Sequence, residues 1–372
     1  MANEASPEHR AFETVEDSDP RWSVSDSEHR APLTDSDSQQ NGSEHAGDPV
    51  LSVVVPTLNE AENIGDCIES ILSACTEVPK FEIILVDSNS DDQTVEIAQK
   101  YPVTILQLSP AEHITPGAGR YVGTVAASGD QILFVDGDMR LTQGWLLDAQ
   151  RFLRDNELVA GVGGHLDTTS TDTTQTVRAL HGVVLYDAEV FDMVGGFDPY
   201  LQGYEDIELG ARIRSAGFEL VELPVVVATH SRPQNMSELK RRWQNGYLFG
   251  FGQALRKSIT SPKMIQDLLS RKRHQVLFLG WFILGAAAVF ISTQVLLGWA
   301  VVTGGAFGIG MIYQGPRLVV IRTLWQAVSW AGYTYGFFRG SRDPSTFPLE
   351  TVSLVTTAET SDTTSKEPFL RS

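Results

Sequence analysis

Residues 131–138 read Gln-Ile-Leu-Phe-Val-Asp-Gly-Asp. The first five predict a short buried strand, because a brief, mostly apolar run bounded by turn residues fits a strand enclosed on both faces. Asp136 and Asp138 follow directly at its end. Strand, loop and helix patterns alternate before this stretch, which predicts an α/β fold with a doubly wound, mostly parallel sheet. The three earlier strand-like runs are Val50–Val55, Phe81–Val86 and Val103–Leu106.

Polar side chains stand at the predicted ends of three strands, namely Asn59, Asp87 and Asp136. Ligands of doubly wound sheets bind at the carboxyl ends of the strands, so these positions predict the binding site. Two carboxylates separated by one small residue can hold Mg²⁺ or Mn²⁺ and the diphosphate that the ion bridges. An Asp-Gly-Asp sequence also occurs in ordinary turns. The absence of Gly-x-Gly-x-x-Gly after the first strand argues against a dinucleotide site.

A second acidic motif lies further along the chain, where Glu205 and Asp206 precede an apolar helical pattern. Acids in a first helical turn can also serve only as partners of the helix dipole. His230 follows the apolar strand Val225–Thr229 and could simply end that strand. His165 is interpreted as part of a loop or strand.

The composition narrows the class of protein. The net charge is −19 with only 7 lysines, which argues against a nucleic-acid-binding protein and favours one that works in very high salt. Two cysteines exclude a disulfide scaffold. Residues 1–48 carry 12 acids and 3 arginines without an apolar period, so we expect a disordered acidic segment and no signal peptide. We also expect a disordered tail over 343–372.

Charge and hydropathy change sharply after the predicted α/β domain, 49–245. Residues 239–274 hold nine cations and one acid, and residues 275–316 hold no charge. The uncharged run predicts two transmembrane helices within 276–313, about 276–293 and 295–313, preceded by a basic juxtamembrane segment over 246–275. The alternative is a buried hairpin of a large soluble core. Residues 314–342 predict an interfacial amphipathic helix, with a third span as the alternative.

Taken together, the motifs resemble the family 2 glycosyltransferases of the GT-A fold, over about residues 51–243. Each motif alone is common, but the family has all of them in this order. The matching segments are Val53–Glu60, Val86–Asp92, Gly117–Arg120, Asp136–Asp138, Gly196–Asp198 and Glu205–Asp206. One departure is Tyr121, where the family often has Asn.

The resemblance implies an inverting glycosyltransferase that uses a nucleotide-sugar donor and a divalent metal, Mg²⁺ or Mn²⁺. Asp206 is the expected catalytic base and Glu205 its neighbour. The expected metal ligands are Asp136, Asp138 and His230. The expected donor-binding residues are Pro56, Glu60, Asp87, Arg120 and Asp136.

Arg241, Arg242 and Trp243 are the expected acceptor-phosphate residues; an ordinary juxtamembrane basic face is the alternative. They resemble the end of a Gln-x-x-Arg-Trp motif, but Leu239 replaces its Gln, which argues against a processive synthase.

We expect a multi-pass protein of the cell membrane with a cytoplasmic catalytic domain. The expected acceptor is a polyprenyl (dolichol-type) phosphate or a lipid-linked glycan, within protein N-glycosylation in a haloarchaeon. The alternatives are an exopolysaccharide synthase and a non-enzymatic membrane scaffold.

Overall fold

The computed structural model describes residues 51–109, 114–168, 172–230, 243–244 and 246–358. The segment predicted to be disordered at residues 1–48 lies outside this part. Ten strands within the described ranges form one sheet. They are β1 Leu51–Thr57, β2 Phe81–Asp87, β3 Thr104–Gln107, β4 Gln131–Val135, β5 Met139–Leu141, β6 Val159–Leu166, β7 Gln175–Val177, β8 Val183–Asp187, β9 Glu219–His230 and β10 Ser353–Thr356.

The strand order is β10-β3-β2-β1-β4-β8-β6-β9-β5, and β7 pairs with β9. Strands β3, β2, β1 and β4 run parallel to one another, whereas β8 is antiparallel to both β4 and β6. The predicted doubly wound, mostly parallel α/β fold is therefore confirmed, with antiparallel pairs in its second half and at the β10 edge. This mixture is common in large sheets.

Helices cover both faces of the sheet, and each face has its own apolar core. The central strand β1 is enclosed from both sides, which explains its uninterrupted Val53–Val55 run. The helices of this region are α1 Ile64–Ala74, α2 Thr94–Ala98, α3 Pro116–Ala126, α4 Trp145–Asp155, α5 Ala188–Val194 and α6 Glu205–Ser215.

The helices that follow are α7 Gly250–Lys257, α8 Pro262–Arg271, α9 Arg273–Ile291, α10 Thr293–Gln314 and α11 Pro316–Arg339. Among the described residues, α9 and α10 are the two helices that are long and apolar enough to cross a membrane, each with a mean hydropathy of 1.9. Ser292 separates them and caps α10 by accepting a hydrogen bond from the Val295 amide at 3.2 Å. The predicted break near residues 292–294 is therefore present.

Helix α11 packs closely against α7 through glycines. A Cβ atom on Gly252 would lie 1.8 Å from the Tyr333 carbonyl oxygen, and one on Gly336 would lie 2.0 Å from that of Phe249. Side chains at these positions would force the two helices apart. The C-terminal half of α11 is thus held against the protein.

The C-terminal segment differs from its prediction as a disordered tail. Residues 344–346 and 349–351 form 3-10 turns, and β10 then pairs antiparallel with β3. The open edge of β3 offers unpaired backbone groups that a short strand can satisfy, even one in a Thr- and Ser-rich sequence. Phe347 also packs its ring against Tyr121 and Tyr200. The prediction is wrong for 344–356, and residues 359–372 lie outside the described part.

Candidate active site

The carboxyl ends of β1, β2 and β4 meet at one edge of the sheet. Thr57 lies beside Asp87 in the register of β1 and β2. The Gly137 amide donates to the Pro56 carbonyl oxygen at 3.3 Å, and the Ser88 amide donates to that of Thr57 at 2.8 Å. The three loops after these strands therefore form one continuous edge, as the sequence predicts.

The loops after β1 and β2 are joined by hydrogen bonds. The Asn59 amide donates to Ser90 Oγ at 2.8 Å, and the Asp91 amide donates to Asn59 Oδ1 at 2.9 Å. The Glu60 amide donates to Thr94 Oγ1 at 2.8 Å, while its buried side chain accepts a hydrogen bond from Asn63 Nδ2 at 2.9 Å. Glu60 thus helps to fix the shape of the first loop.

Asp87 is fully buried at the end of β2. Its oxygens accept hydrogen bonds from the Ser90 amide at 3.0 Å, from Ser90 Oγ at 2.5 Å and from Gln107 Nε2 at 2.8 Å. These bonds hold the second loop in place. A direct contact between Asp87 and the donor stays a prediction.

Asp136 and Asp138 flank a glycine that no larger residue could replace without movement. A Cβ atom on Gly137 would lie 2.8 Å from Thr57 Oγ1. That hydroxyl is buried and has no hydrogen-bond partner in the described part of the chain. Asp138 is buried, whereas the Asp136 side chain is 28% exposed. No group of three or more His, Cys, Asp or Glu side chains among the described residues could hold a metal ion.

Arg120 connects the Asp136 edge to the second acidic motif. Its Nη2 donates to Asp136 Oδ1 at 2.5 Å, and its Nη1 donates to Glu205 Oε1 at 3.1 Å. Helix α3 carries Arg120 to this position because its small residues let it approach β1: a Cβ atom on Gly123 would lie 2.1 Å from Val54 Cγ1. One guanidinium group therefore spans the two predicted halves of the site.

The acidic pair forms the first two residues of α6 and directly follows Tyr204. The φ of Tyr204, 64°, turns the chain sharply into the helix. Burial raises the pKa of Glu205 to about 7, with Arg120 opposing the rise and Asp206 adding to it. Burial would also raise the pKa of Asp206, but its hydrogen bond to His181 and the charges of His181 and Arg120 lower it below its usual range. The two neighbouring carboxyl groups therefore differ in proton affinity.

His181 is the residue that the sequence interpretation missed. Its Nδ1 forms a hydrogen bond with Asp206 Oδ2. Burial lowers the pKa of His181, but the bond to Asp206 and the charge of that carboxylate raise it overall. His181 precedes β8 in a loop without a recognisable motif, and 25 positions separate it from Asp206. No local pattern could have found it.

The structure describes the other predicted site residues only in part. His230 ends β9, where its backbone pairs with Met139, but its side chain lies outside the described part. Arg241 and Arg242 also lie outside it. Trp243 is 40% exposed, with its ring centroid 5.4 Å from that of Phe249. His165 is a buried residue of β6, as predicted.

Helices α7 and α8 pack against α6, which carries the acidic pair. Lys257 Nζ on α7 lies 2.8 Å from Asp198 Oδ2 and 3.0 Å from Glu208 Oε1, and both carboxylates are buried. An apolar cluster adds contacts between Tyr204 and Phe251. The helix that carries the acidic pair is therefore bonded to α7, one of the two helices that precede α9.

Comparisons with known proteins agree with this architecture. A family model, Glycosyl transferase family 2, matches residues 52–206. Glycosyltransferase AglE of Haloferax volcanii is 26% identical over 227 residues, 53% of this chain and 72% of that protein. Dolichol-phosphate mannosyltransferase of Pyrococcus furiosus is 34% identical over 94 residues, 24% of this chain and 26% of that protein. The whole-protein activity of the second relative therefore does not transfer with the match.

One solved structure has a similar fold over most of its length. Mannosyltransferase PcManGT from Pyrobaculum calidifontis, in complex with GDP-Man and Mn²⁺, matches with a TM-score of 0.56 and 20% identity. The match covers 79% of this chain and 88% of PcManGT. At this identity the likeness shows the fold.

Proposed function

We propose that this chain, whose residues 52–206 match the Glycosyl transferase family 2 model, transfers a sugar from a nucleotide-sugar donor to a membrane-held isoprenoid acceptor. The acceptor is a polyprenyl phosphate or a glycan carried on one. The reaction is a single displacement at the anomeric carbon, which inverts its configuration. The nucleoside diphosphate leaves as the acceptor oxygen attacks.

The observation that carries this proposal is the Arg120 bridge. Arg120 bonds to Asp136, at the edge where donors of such folds bind, and to Glu205, in the acidic pair. A donor bound at the first carboxylate would thus present its sugar towards the second. The low pKa of Asp206 keeps that group ionised, so it could accept the proton that an attacking sugar hydroxyl, or a singly protonated acceptor phosphate, must lose.

The residues at this edge fit a divalent metal. Mg²⁺ is usually held by one or two carboxylates together with substrate phosphates, and Asp136 and Asp138 provide two carboxylates around one glycine. The buried Thr57 hydroxyl, which has no partner in the described part, adds an oxygen at the same edge. A bound ion would stabilise the negative charge of the departing diphosphate. His230 remains a candidate third ligand.

The apolar helices support a membrane location. In the most apolar 18-residue stretches of α9 and α10, 11% and 0% of the residues are buried within the protein. Their apolar side chains therefore need another partner, and a bilayer supplies one. The basic stretch 239–274 favours a cytoplasmic catalytic domain by the positive-inside rule. We place α11 at the interface, and Arg241, Arg242 and Trp243 beside the acceptor phosphate.

The relatives support an isoprenoid acceptor and a haloarchaeal setting. One relative is a dolichol-phosphate mannosyltransferase, and AglE comes from Haloferax volcanii. The acidic, lysine-poor composition agrees with life in high salt. A role in protein N-glycosylation follows as the proposed context.

The test is a transfer assay with the full chain in detergent. The protein is incubated with a panel of nucleotide sugars, Mn²⁺ or Mg²⁺, and three acceptors: dolichyl phosphate, dolichyl phosphate mannose and dolichol. Mass spectrometry of the lipids should show one added sugar on a phosphate-bearing lipid. A sugar added only to soluble polymer, or no product from any donor, would overturn the proposal.

A further inference from the structure

Arg271, at the end of α8, has buried hydrogen-bond donors for which the described residues supply no partner. Its Nε and Nη2 are shielded from solvent and have no hydrogen-bond partner within the described part of the chain. Nε lies 3.6 Å from Asp267 Oδ2, beyond hydrogen-bonding distance. Buried guanidinium donors are normally paired, so the arrangement points to an anionic ligand.

The single negative charge of Asp267 cannot neutralise the three arginines around it. It accepts hydrogen bonds from Arg178 Nη1 at 2.8 Å and from Arg214 Nη2 at 2.9 Å, and both are shorter than its contact with Arg271. Three guanidinium groups therefore share one carboxylate. Asp267 therefore leaves two positive charges uncompensated, and Arg271 is the most weakly bound of the three arginines.

The end of α8 faces the acidic pair. Lys272 Nζ lies 5.1 Å from the centroid of the Tyr204 ring, and Tyr204 directly precedes Glu205. Arg271 is close enough to His181 for its charge to oppose the rise in the pKa of that imidazole. His181 in turn is bonded to Asp206. A ligand held by Arg271 would therefore lie at the end of α8 that contacts Tyr204, directly before the acidic pair in the chain, and next to the start of α9.

We propose that Arg271, assisted by Lys272, binds the phosphate of the isoprenoid acceptor. A guanidinium group suits this ligand because its planar N–H donors match phosphate oxygens in pairs. The position fits a lipid whose chain enters from the membrane along α9 while its headgroup reaches the acidic pair. This inference rests on the proposed function and assigns the acceptor a site in addition to the one proposed at Arg241 and Arg242.

The test measures acceptor binding without any donor. Radiolabelled farnesyl phosphate is dialysed to equilibrium against the full chain in detergent, with farnesol and inorganic phosphate as separate ligands. Arg271→Gln should weaken farnesyl phosphate binding about 10- to 100-fold, as expected for loss of a charged hydrogen-bonded contact. Arg271→Lys, which keeps the charge but loses the planar donor pair, should give an intermediate loss.

Arg273→Gln is the matched control. Arg273 is exposed and lies two residues further along the chain, and its substitution by Gln removes the same charge. It should change binding by no more than about twofold, as for an exposed charge. Unchanged thermal unfolding of Arg271→Gln would show that this variant is folded; if it is not folded, Arg271→Lys provides the comparison.

Three results would overturn the inference: equal binding by wild type and the folded Arg271 variant, equal losses at Arg271 and Arg273, or equal affinity for farnesol and farnesyl phosphate. Preferential binding of inorganic phosphate over farnesyl phosphate would also contradict it, since the ligand would then be a free anion. In all these cases a lipid product in the transfer assay would leave the proposed function intact.

Discussion

The donor edge and the acidic pair are built in different ways, although Arg120 joins them. The donor edge comes from consecutive strand, loop and helix units, and its bonds link neighbouring loops such as those of Asn59 and Ser90. The acidic pair depends on partners far away in the chain, namely His181 and Arg120, and its helix α6 is paired with Lys257 through Glu208. The first region is specified locally, whereas the second is specified by how α6, α7 and α8 pack.

The largest effect is expected at the donor edge. Asp136→Ala or Asp138→Ala removes a carboxylate that would hold the metal, so sugar transfer should fall below detection, with several kcal/mol of transition-state stabilisation lost. The measurement is transfer rate against Mn²⁺ concentration. Asp148→Ala is the control, because Asp148 is 69% exposed and pairs only with the exposed Arg151 in the described part. Full activity of the Asp138 variant in EDTA would show that the reaction does not depend on a metal held at this edge.

On the acidic side, Asp206→Asn should lower turnover by about 10²- to 10⁴-fold, because an amide cannot accept the proton of an attacking hydroxyl. Donor affinity should remain close to that of the wild type, since Asp206 lies outside the donor edge. Steady-state kinetics separates kcat from the donor KM. A Glu205→Gln variant that loses more turnover than Asp206→Asn would instead make Glu205, whose pKa is about 7, the base.

The pH dependence of kcat/KM tests the role of His181 in the acidic pair. Its hydrogen bond and charge lower the pKa of Asp206 against the effect of burial, so His181→Ala should raise that pKa. The carboxylate exists only above its pKa, and the acid side of the kcat/KM profile should therefore move to higher pH. His274→Ala, at an exposed position, is the control. A parallel loss at all pH values would give His181 only a structural role.

A smaller effect is expected where the catalytic domain meets the juxtamembrane helices. Lys257→Met leaves the buried Asp198 without its cation and Glu208 with Arg212 alone. The free energy of unfolding should fall by about 2 kcal/mol, as expected when a buried charge loses its partner. Lys263→Met, on the exposed surface of α8, should change it little. Equal unfolding midpoints in detergent would show that the Lys257 pairs do not stabilise the junction.

The same difference between the donor edge and the acidic pair determines how much of each could be predicted from the sequence. The β-branched runs and the carboxylates behind them were sufficient to predict β1, β2, β4 and the Asp136 edge, because a buried strand and its loop form one short segment. Arg120 was predicted from the resemblance alone. His181 and the arginines around Asp267 are brought together by tertiary packing over tens of residues, which leaves no periodicity to detect.

The C-terminal strand shows a second limit of composition. Residues 353–356 stand in a Thr- and Ser-rich tail, yet they form β10 because β3 offers an open edge. The apolar pair α9 and α10 was predicted within a few residues of its observed bounds, since the absence of charge over 275–316 is a strong signal by itself.

The stereochemistry of the product tests most directly whether the two regions act together in one displacement. The donor that is active in the transfer assay is used in its α-linked form, and the anomeric configuration of the new bond is read by NMR of the purified glycolipid. The account predicts a product that is wholly β-linked, because a single attack across the site inverts the anomeric carbon. An α-linked product would contradict it, since one backside displacement cannot retain the configuration of the anomeric carbon.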